Sequence, residues 1–266
     1  MIIIGEKINS TLKAIRPAME NRDADAVASL ARRQYEAGAT YIDLNAGAFY
    51  DNEADILEWL VVTVQQEVDA PLSIDTPNPV ALERALRANK NGKPIVNSIT
   101  NEKTRYDSVL PLVKEFGAAV VALCMDDTGM PDTAVDRVKI ADSLIEKLTK
   151  EGVSIEDIFI DPMVRPIGTG TQYGVAAIDT IRQVKQAYPE VHIACGLSNI
   201  SYGIPARKVM NQTFLIAAMA AGMDGAILDP LDKRLMTFLY AGNALMGHDE
   251  YCMEYLKKFR EGAFET

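Results

Sequence analysis

The chain has 266 residues, of which 48% are hydrophobic, and its 27 basic and 37 acidic side chains give a net charge of −10. This is the composition of a globular protein with a substantial core, and the length suits one large α/β domain as well as two small ones. The acidic balance argues against a protein that coats nucleic acid or an anionic membrane, because both attract a basic surface.

Short apolar segments recur along the whole chain and are predicted as strands. In chain order they are Ile2–Ile4, Tyr41–Leu44, Leu72–Ile74, Ile95–Asn97, Ala119–Cys124, Ile158–Ile160, His192–Ala194 and Gly225–Leu228. The runs are mostly apolar, and their few polar members are Asp43, Ser73, Asn97 and His192. This pattern favours parallel strands that are buried on both faces.

Longer amphipathic segments follow each of these strands and are predicted as helices. They are Asp25–Ala37, Ala54–Val68, Val80–Ala88, Asp107–Phe116, Thr133–Lys150, Ala176–Ala187, Asn211–Ala221 and Lys233–Leu245. In the fifth, Val138, Ala141 and Leu144 recur at three-residue steps between charged residues, which is typical of one buried helix face. A further segment, Glu250–Phe259, is predicted as a helix at the C-terminal end, within residues 250–266.

Eight consecutive β/α units without a linker favour a single α/β domain over residues 1–266, folded as a (β/α)₈ TIM barrel. An open doubly wound sheet is the rival architecture.

Cys124, Cys195 and Cys252 lie far apart, so neither a disulfide framework nor a thiolate zinc site is indicated. No segment approaches the roughly 18 apolar residues of a membrane span, and the apolar start is too short for a signal peptide. We therefore expect a cytoplasmic protein.

Polar side chains end or follow every predicted strand. They are Glu6, Asn9, Asp43, Asn45, Asp75, Asn97, Asp126, Asp127, Asp161, Ser198, Asn199 and Asp229. In a barrel these side chains converge on the C-terminal rim, where barrel enzymes place their active sites. Any one Asp or Asn is readily explained as a helix cap or turn residue, but the set includes hardly a Lys or His. Such a rim suits a neutral heterocycle with N–H donors and carbonyl groups better than a sugar phosphate.

The chain offers little for a metal site. Its two histidines, His192 and His248, are predicted as a satisfied core residue and a solvated residue. Asp75 and Asp161 are candidate magnesium ligands, but the accompanying asparagines are weak ligands and no phosphate-binding basic residue is evident nearby. We expect no resident metal.

Two glycine-containing strings bring other chemistries to mind. Gly196-Leu197-Ser198-Asn199-Ile200 lacks the second glycine of a serine-hydrolase nucleophile elbow. In Gly168–Gly174 the third glycine comes one residue late for a dinucleotide-binding fingerprint. We interpret the second string as a flexible barrel loop.

Six strings at successive strand ends carry a resemblance to a known family. They are Gly5-Glu6-Lys7-Ile8-Asn9, Ile42-Asp43-Leu44-Asn45, Ser73-Ile74-Asp75-Thr76, Asn97-Ser98, Ile160-Asp161-Pro162 and Gly196-Leu197-Ser198-Asn199. Together and in this order, they resemble the pterin-binding methyltransferases, closest to the methyltetrahydrofolate-corrinoid protein methyltransferases. The likeness runs from Met1 to about Lys258. The sixth loop, Arg165–Tyr173, departs from the family pattern.

The resemblance implies a homodimeric barrel that binds tetrahydrofolate on its C-terminal rim. It also implies methyl transfer between N5 of the folate and the cobalt of a cobamide or cobalamin, in a direction that the sequence leaves open. By position, Asp75, Asn97 and Asp161 look like the residues that hold the pterin ring, and Asn199 looks like the catalytic residue beside N5. Further implied pocket residues are Gly196, Ser198 and Arg207, with a secondary rim of Glu6, Asp43 and Asn45.

The corrinoid is expected to arrive on a transient partner protein, because neither histidine lies in the D-x-H-x-x-G pattern of resembling cobalamin domains. One alternative is a dihydropteroate synthase, a family with Arg and His after its last strand. The corresponding stretch here, Asp229–Arg234, has no histidine. A second alternative is a folate-binding subunit without catalysis of its own.

Overall fold

Eight parallel strands form the centre of the structure, a computed structural model that describes residues 1–265. The strands are β1 (Ile2–Asn9), β2 (Tyr41–Asn45), β3 (Leu72–Asp75), β4 (Ile95–Thr100), β5 (Ala119–Leu123), β6 (Ile158–Asp161), β7 (His192–Ile193) and β8 (Gly225–Leu228). The helices are α1 (Arg16–Glu20), α2 (Ala24–Glu36), α3 (Glu53–Gln65), α4 (Pro79–Ala88), α5 (Lys103–Phe116), α6 (Ala134–Lys150), α7 (Tyr173–Ala187), α8 (Arg207–Ala221), α9 (Lys233–Leu245) and α10 (Met253–Arg260).

The strands pair in the order β7-β6-β5-β4-β3-β2-β1-β8. Strand β7 is only two residues long, and the sheet closes beyond it through a parallel bridge between Gly196 and Ile227. The Ile227 N–H donates to the Cys195 carbonyl at 2.9 Å across this seam. The predicted (β/α)₈ barrel is therefore confirmed, and the open doubly wound sheet is wrong.

The apolar strands are explained by two separate layers of packing. Side chains alternate along a strand, so each strand sends one set into the barrel and the other toward the helices. Ile4, Ile95, Val121, Phe159 and Ala194 form a small cluster inside the barrel, apart from the larger core between the strands and the helices. With both faces buried, most of the strands have no solvated side and read as apolar runs. Strands β2 and β3 differ, because they carry the buried polar residues Asp43 and Ser73.

Side-chain caps fix four of the helix starts where the sequence places them. The side chains of Asp23, Asn78, Thr133 and Asp232 each accept a hydrogen bond from a backbone N–H in the first turn of α2, α4, α6 and α9. Such caps satisfy N–H groups that have no partner within the helix. Every predicted barrel helix is present, with its first residue within four positions of the prediction.

The C-terminal segment differs from its prediction. Instead of one helix from Glu250, a 3₁₀ turn at Glu250–Cys252 precedes α10. Tyr251 and Cys252 have left-handed φ angles of 52° and 58°, which interrupt a helix. The Asp249 carboxylate then accepts hydrogen bonds from the Glu254 and Tyr255 N–H groups at 3.0 and 2.9 Å, and this caps the shorter helix.

Two further local differences concern the loops. Helix α1 was not predicted, because its five residues are too few to show a periodic pattern. The Gly168–Gly174 string is not a single loop: Ile167–Thr169 forms a 3₁₀ turn, and Gly174 already lies in α7. No helix among residues 1–265 is long and apolar enough to cross a membrane.

Candidate active site at the barrel mouth

Alternate residues of each strand point into the barrel. The inward-pointing residues are apolar along most of the strand, and carboxylates occupy the same parity at the barrel mouth. On β1, Ile2 and Ile4 belong to the interior cluster, and Glu6 is the next residue of the same parity. By the same rule Asp161 follows Phe159 on β6. The predicted convergence of strand-end polar residues on the C-terminal rim follows from this geometry.

Asp43 is the most deeply placed of these carboxylates. Only 2% of its surface is exposed, and it accepts hydrogen bonds from the Ser73 hydroxyl at 2.6 Å and the Asn97 amide at 3.4 Å. Burial, together with the nearby Asp75 carboxylate, raises the pKa of Asp43 well above its ordinary value. The side chains of β2, β3 and β4 are thus joined in one hydrogen-bonded group.

Asn45 holds Asp75 in place at the top of this group. Its Oδ1 accepts from the Ser10 hydroxyl and the Gly47 N–H, both at 3.0 Å. These two donors leave the amide NH₂ directed to Asp75, at 2.9 Å from Oδ2. Burial raises the pKa of Asp75, and the Asn45 hydrogen bond opposes that shift. Asn45 therefore positions the Asp75 carboxylate, and its own amide already makes hydrogen bonds to Ser10, Gly47 and Asp75.

Asp161 has an unused acceptor. It is 9% exposed, and its Oδ1 accepts from the Met163 N–H at 2.7 Å. Its Oδ2 has no hydrogen-bond partner among residues 1–265. Burial raises the pKa of Asp161 to about 7, against the opposing influence of the Met163 N–H and of Arg137. A ligand with N–H donors would supply the missing partners.

The segment after β7 carries Gly196, Ser198 and Asn199 on a 3₁₀ turn, Leu197–Ser201. The Asn199 N–H donates to the Gly196 carbonyl at 3.2 Å, which fixes the backbone of the turn. The Asn199 side chain is exposed and makes no hydrogen bond with the part of the chain that the structure describes. Its amide is free to turn.

Arg207 ties this turn to the start of α8. Its guanidinium donates to the Ser198 carbonyl at 2.9 Å and to the Ser201 hydroxyl at 3.1 Å. The Ser201 hydroxyl donates in turn to the Ser198 carbonyl at 3.1 Å. Arg207 therefore braces the Asn199 turn, in addition to facing the open mouth.

Glu6, Ser198 and Arg207 line one cavity of about 270 Å³, which we call the mouth cavity. Asp75, Asn97 and Asp161 are not among its lining residues, so the predicted site residues form neighbouring groups on the rim. Burial and the nearby Asp229 raise the pKa of Glu6 to about 7. Asp229 itself is paired with Lys7 at 2.9 Å.

Positive charge at the mouth is greater than the strand ends indicate. Arg105, on α5, donates to the carbonyls of Ser98 at 2.6 Å and Thr76 at 2.8 Å. Its guanidinium also lies close enough to Asp75 to oppose the rise that burial causes in the pKa of that carboxylate. Arg137, on α6, is fully buried near Asp161, and both of its terminal nitrogens lack a partner within residues 1–265. Neither arginine is at a strand end, and no motif in the sequence marks either of them.

Among residues 1–265, no group of three or more His, Cys, Asp or Glu side chains is placed to hold a metal ion.

Comparisons with known proteins give matches over most of the chain. Residues 5–229 match the family model described as pterin binding enzyme. A methylcorrinoid:tetrahydrofolate methyltransferase from Eubacterium limosum is 38% identical over 265 residues, which are 98% of this chain and 97% of that protein. A methionine synthase from Mycobacterium tuberculosis is 32% identical over 86% of this chain. The match spans only 20% of the methionine synthase.

Solved structures show the same fold at low identity. The 7,8-dihydropteroate synthase from Vibrio fischeri superposes with a TM-score of 0.72 at 14% identity, over 92% of this chain and 93% of that one. A dihydropteroate synthase from Yersinia pestis superposes with a TM-score of 0.66 at 16% identity, over 92% and 93% of the two chains. At this level of identity the likeness concerns the barrel alone.

Proposed function

The chain belongs to the pterin-binding enzyme family, and from this premise we propose that it is a methyltransferase that uses tetrahydrofolate and a corrinoid. In the proposed reaction, a methyl group moves between the cobalt of a corrinoid on a partner protein and N5 of tetrahydrofolate. We assign the direction toward tetrahydrofolate. The support for this direction is the 38% identity, over nearly the whole of both chains, to the methylcorrinoid:tetrahydrofolate methyltransferase of Eubacterium limosum.

The observation that carries the proposal is the unengaged Asn199 amide beside a rim of fixed, buried acceptors. N5 carries a proton before it is methylated and loses that proton in the reaction. A group beside N5 must therefore accept a hydrogen bond at one stage and donate one at another. An amide does both by rotation, and the Asn199 side chain has no competing hydrogen bond among residues 1–265.

Recognition of the pterin is assigned to Asp75, Asn97 and Asp161. A pterin edge presents an amino group and a ring N–H side by side, and an ionised carboxylate accepts both in parallel. The free Oδ2 of Asp161, with Oδ1 only partly used by the Met163 N–H, supports this role. An unpaired buried donor costs about 1–3 kcal/mol, so these acceptors select for the pterin as well as bind it.

The methyl step requires alignment and no protein nucleophile. The N5 lone pair forms the new N–C bond while the cobalt–carbon bond breaks. The electron pair of the cobalt–carbon bond stays with the cobalt. The N5 proton is released. Holding donor and acceptor in line supplies much of the rate enhancement in reactions of this kind. The protein's contribution is then to fix the pterin and to follow the N5 proton with Asn199.

A separate corrinoid protein is the proposed partner. Its docking at the barrel mouth is supported by two exposed aromatic side chains on rim loops, Tyr50 after β2 and Tyr202 after β7.

We also propose a homodimer, supported by exposed apolar residues on α9 and α10 that include Leu245, Met253 and Phe259. The thiols of all three cysteines are free, in keeping with the proposed cytoplasmic location.

Mixing the protein with methylcobalamin and tetrahydrofolate tests the proposal. We expect the absorbance of methylcobalamin to give way to that of cobalt(I) cobalamin, in proportion to the methyltetrahydrofolate formed. Folate binding without any absorbance change would instead indicate a non-catalytic folate-binding subunit. The dihydropteroate synthase alternative predicts condensation of a pterin pyrophosphate with p-aminobenzoate, and the absence of histidine in Asp229–Arg234 speaks against it.

A further inference from the structure

A second cavity opens on the outer side of the rim, between the loops that follow β1 and β8 and against α2. Its volume is about 490 Å³, within the range of about 300–1,000 Å³ that is usual for small-molecule sites. Cationic side chains border it, and its apolar lining includes leucines from three elements. We call it the basic cavity; the residues used below are Lys7, Lys13, Arg33, Leu12, Leu30 and Leu231.

The basic cavity has two cationic residues without an acidic partner. Most lysines and arginines of the protein pair with carboxylates, in keeping with the excess of acidic residues. Lys13 and Arg33 are exposed and form no ion pair with any residue from 1 to 265. Lys7 is partnered by Asp229 at 2.9 Å. Two uncompensated cations therefore face one cavity on a protein with a net charge of −10.

The basic cavity adjoins the candidate active site. Leu12 lines both the basic cavity and the mouth cavity, which also contains Glu6, Ser198 and Arg207. Lys7 follows Glu6 directly on β1, and its ion-pair partner Asp229 lines the mouth cavity. A flexible ligand anchored at the barrel mouth can therefore pass over Leu12 and reach Lys13 and Arg33.

We propose that the basic cavity binds the glutamyl tail of the folate, specifically the carboxylates beyond the first glutamate. The inference rests on the proposed function, because it takes the pterin to be held in the barrel mouth. A γ-linked glutamyl chain carries one additional carboxylate per residue on apolar methylene stems. The carboxylates match Lys13 and Arg33, and the stems match the apolar surface of Leu12, Leu30 and Leu231. The enzyme then distinguishes polyglutamyl from monoglutamyl folate.

Calorimetric titration with monoglutamyl and triglutamyl tetrahydrofolate tests the inference on the full-length protein. We expect the triglutamate to bind about tenfold more tightly, since two or three partly exposed ion pairs contribute modestly each. In the Lys13→Glu/Arg33→Glu double variant, this ratio is expected to fall to near one, with monoglutamate affinity kept. Lys90→Glu is the matched control, since Lys90 is exposed just after α4, at the opposite end of the barrel.

The outcomes separate this inference from the proposed function. If monoglutamyl tetrahydrofolate binds and is methylated but the wild-type ratio is near one, the tail site is wrong and the methyltransferase proposal stands. A ratio that survives in the double variant overturns the assignment of Lys13 and Arg33. If the double variant keeps the ratio but raises KM for methylcobalamin, the cavity holds the corrinoid's phosphate and the inference is also wrong. Failure of monoglutamate binding in the wild type would count against the proposed function itself.

Discussion

Gly196 lies directly beside the side chain of Asn199. A Cβ atom added at Gly196 would stand 3.1 Å from Nδ2 of Asn199, closer than ordinary van der Waals contact. The turn between them is fixed by the hydrogen bond from the Asn199 N–H to the Gly196 carbonyl. The absence of a side chain at Gly196 therefore gives the Asn199 amide the room to rotate on a rigid backbone.

Replacing Gly196 by alanine is expected to restrict this rotation. Forcing a side chain off its preferred rotamer costs about 0.5–1.5 kcal/mol, which corresponds to a loss of roughly two- to tenfold in the rate of methyl transfer. We expect the Kd for tetrahydrofolate to change much less, as measured by titration beside single-turnover kinetics. Gly174→Ala is the control, because its nearest neighbour, Ile167, lies at an ordinary 3.4 Å. A Gly196→Ala variant with wild-type rate would show that Asn199 does not need the space.

Asn199→Ala removes the group that is proposed to follow the N5 proton. Loss of one well-placed hydrogen-bonding group in a transition state costs about 10²–10³ in rate. We expect a loss of this order in single-turnover methyl transfer and a smaller change in folate affinity. Equal losses in rate and in affinity would reduce Asn199 to a binding residue.

Asp161→Asn is expected to impair folate binding severely while the fold survives. The amide has the size of the carboxylate but replaces one acceptor by a donor that faces the donors of the pterin. Hydrogen bonds to charged groups contribute about 1.5–3 kcal/mol each, so we expect calorimetry to show a loss of at least about tenfold in affinity. Asp127→Asn, at an exposed position after β5, is the control. Unchanged affinity in Asp161→Asn would remove Asp161 from the pterin site.

Glu6→Gln is expected to change the dependence of stability on pH. Burial raises the pKa of Glu6 from its ordinary 4.5 to about 7, so the folded protein binds this proton more tightly than the unfolded chain. The corresponding stability is fully present below about pH 4.5 and is lost as pH rises through about 7. Glutamine needs no proton, so the variant should exceed wild type in Tm at pH 8, by about 2 °C or more, and lose that gain near pH 4.

Glu190→Gln is the control for this measurement, because Glu190 is exposed and forms no ion pair with residues 1–265. Its Tm should follow the wild-type Tm at both pH values. A Glu6→Gln difference that is the same at pH 4 and pH 8 would contradict a raised pKa for Glu6.

The barrel and the ring of strand-end residues follow from patterns that the sequence carries in full. A strand such as Phe159-Ile160-Asp161 has its apolar residues and its mouth-facing carboxylate at fixed parity, so pattern alone places Asp161 at the mouth. The closure of the barrel is less evident from the sequence, because β7 has only two residues. The seam between β7 and β8 is made by the bridge between Gly196 and Ile227 and by the hydrogen bond from the Asp224 N–H to the Ile193 carbonyl. These are contacts between backbone atoms, and the pattern of side chains in the sequence does not predict them.

The arginines of the site could not be predicted from the residues at the strand ends. Arg105 and Arg137 lie on helices, where a basic residue is ordinarily part of a solvated face. Only the tertiary structure brings the Arg105 guanidinium to the carbonyls of Thr76 and Ser98 and buries Arg137 near Asp161. The grouping of Lys13 and Arg33 around one cavity is likewise a product of folding, since the two residues belong to a loop and a helix.

A labelled methyl group gives the most direct test of the proposed methyl transfer. Protein, tetrahydrofolate and cobalamin that carries a ¹³C-methyl group are mixed anaerobically, and the product is examined by NMR beside an Asn199→Ala sample. We expect the label to appear on N5 of the folate in step with the formation of cobalt(I) cobalamin, and we expect this transfer to be about 10²-fold slower in the variant. Label that stays on cobalt while tetrahydrofolate is bound would contradict the proposed methyl transfer.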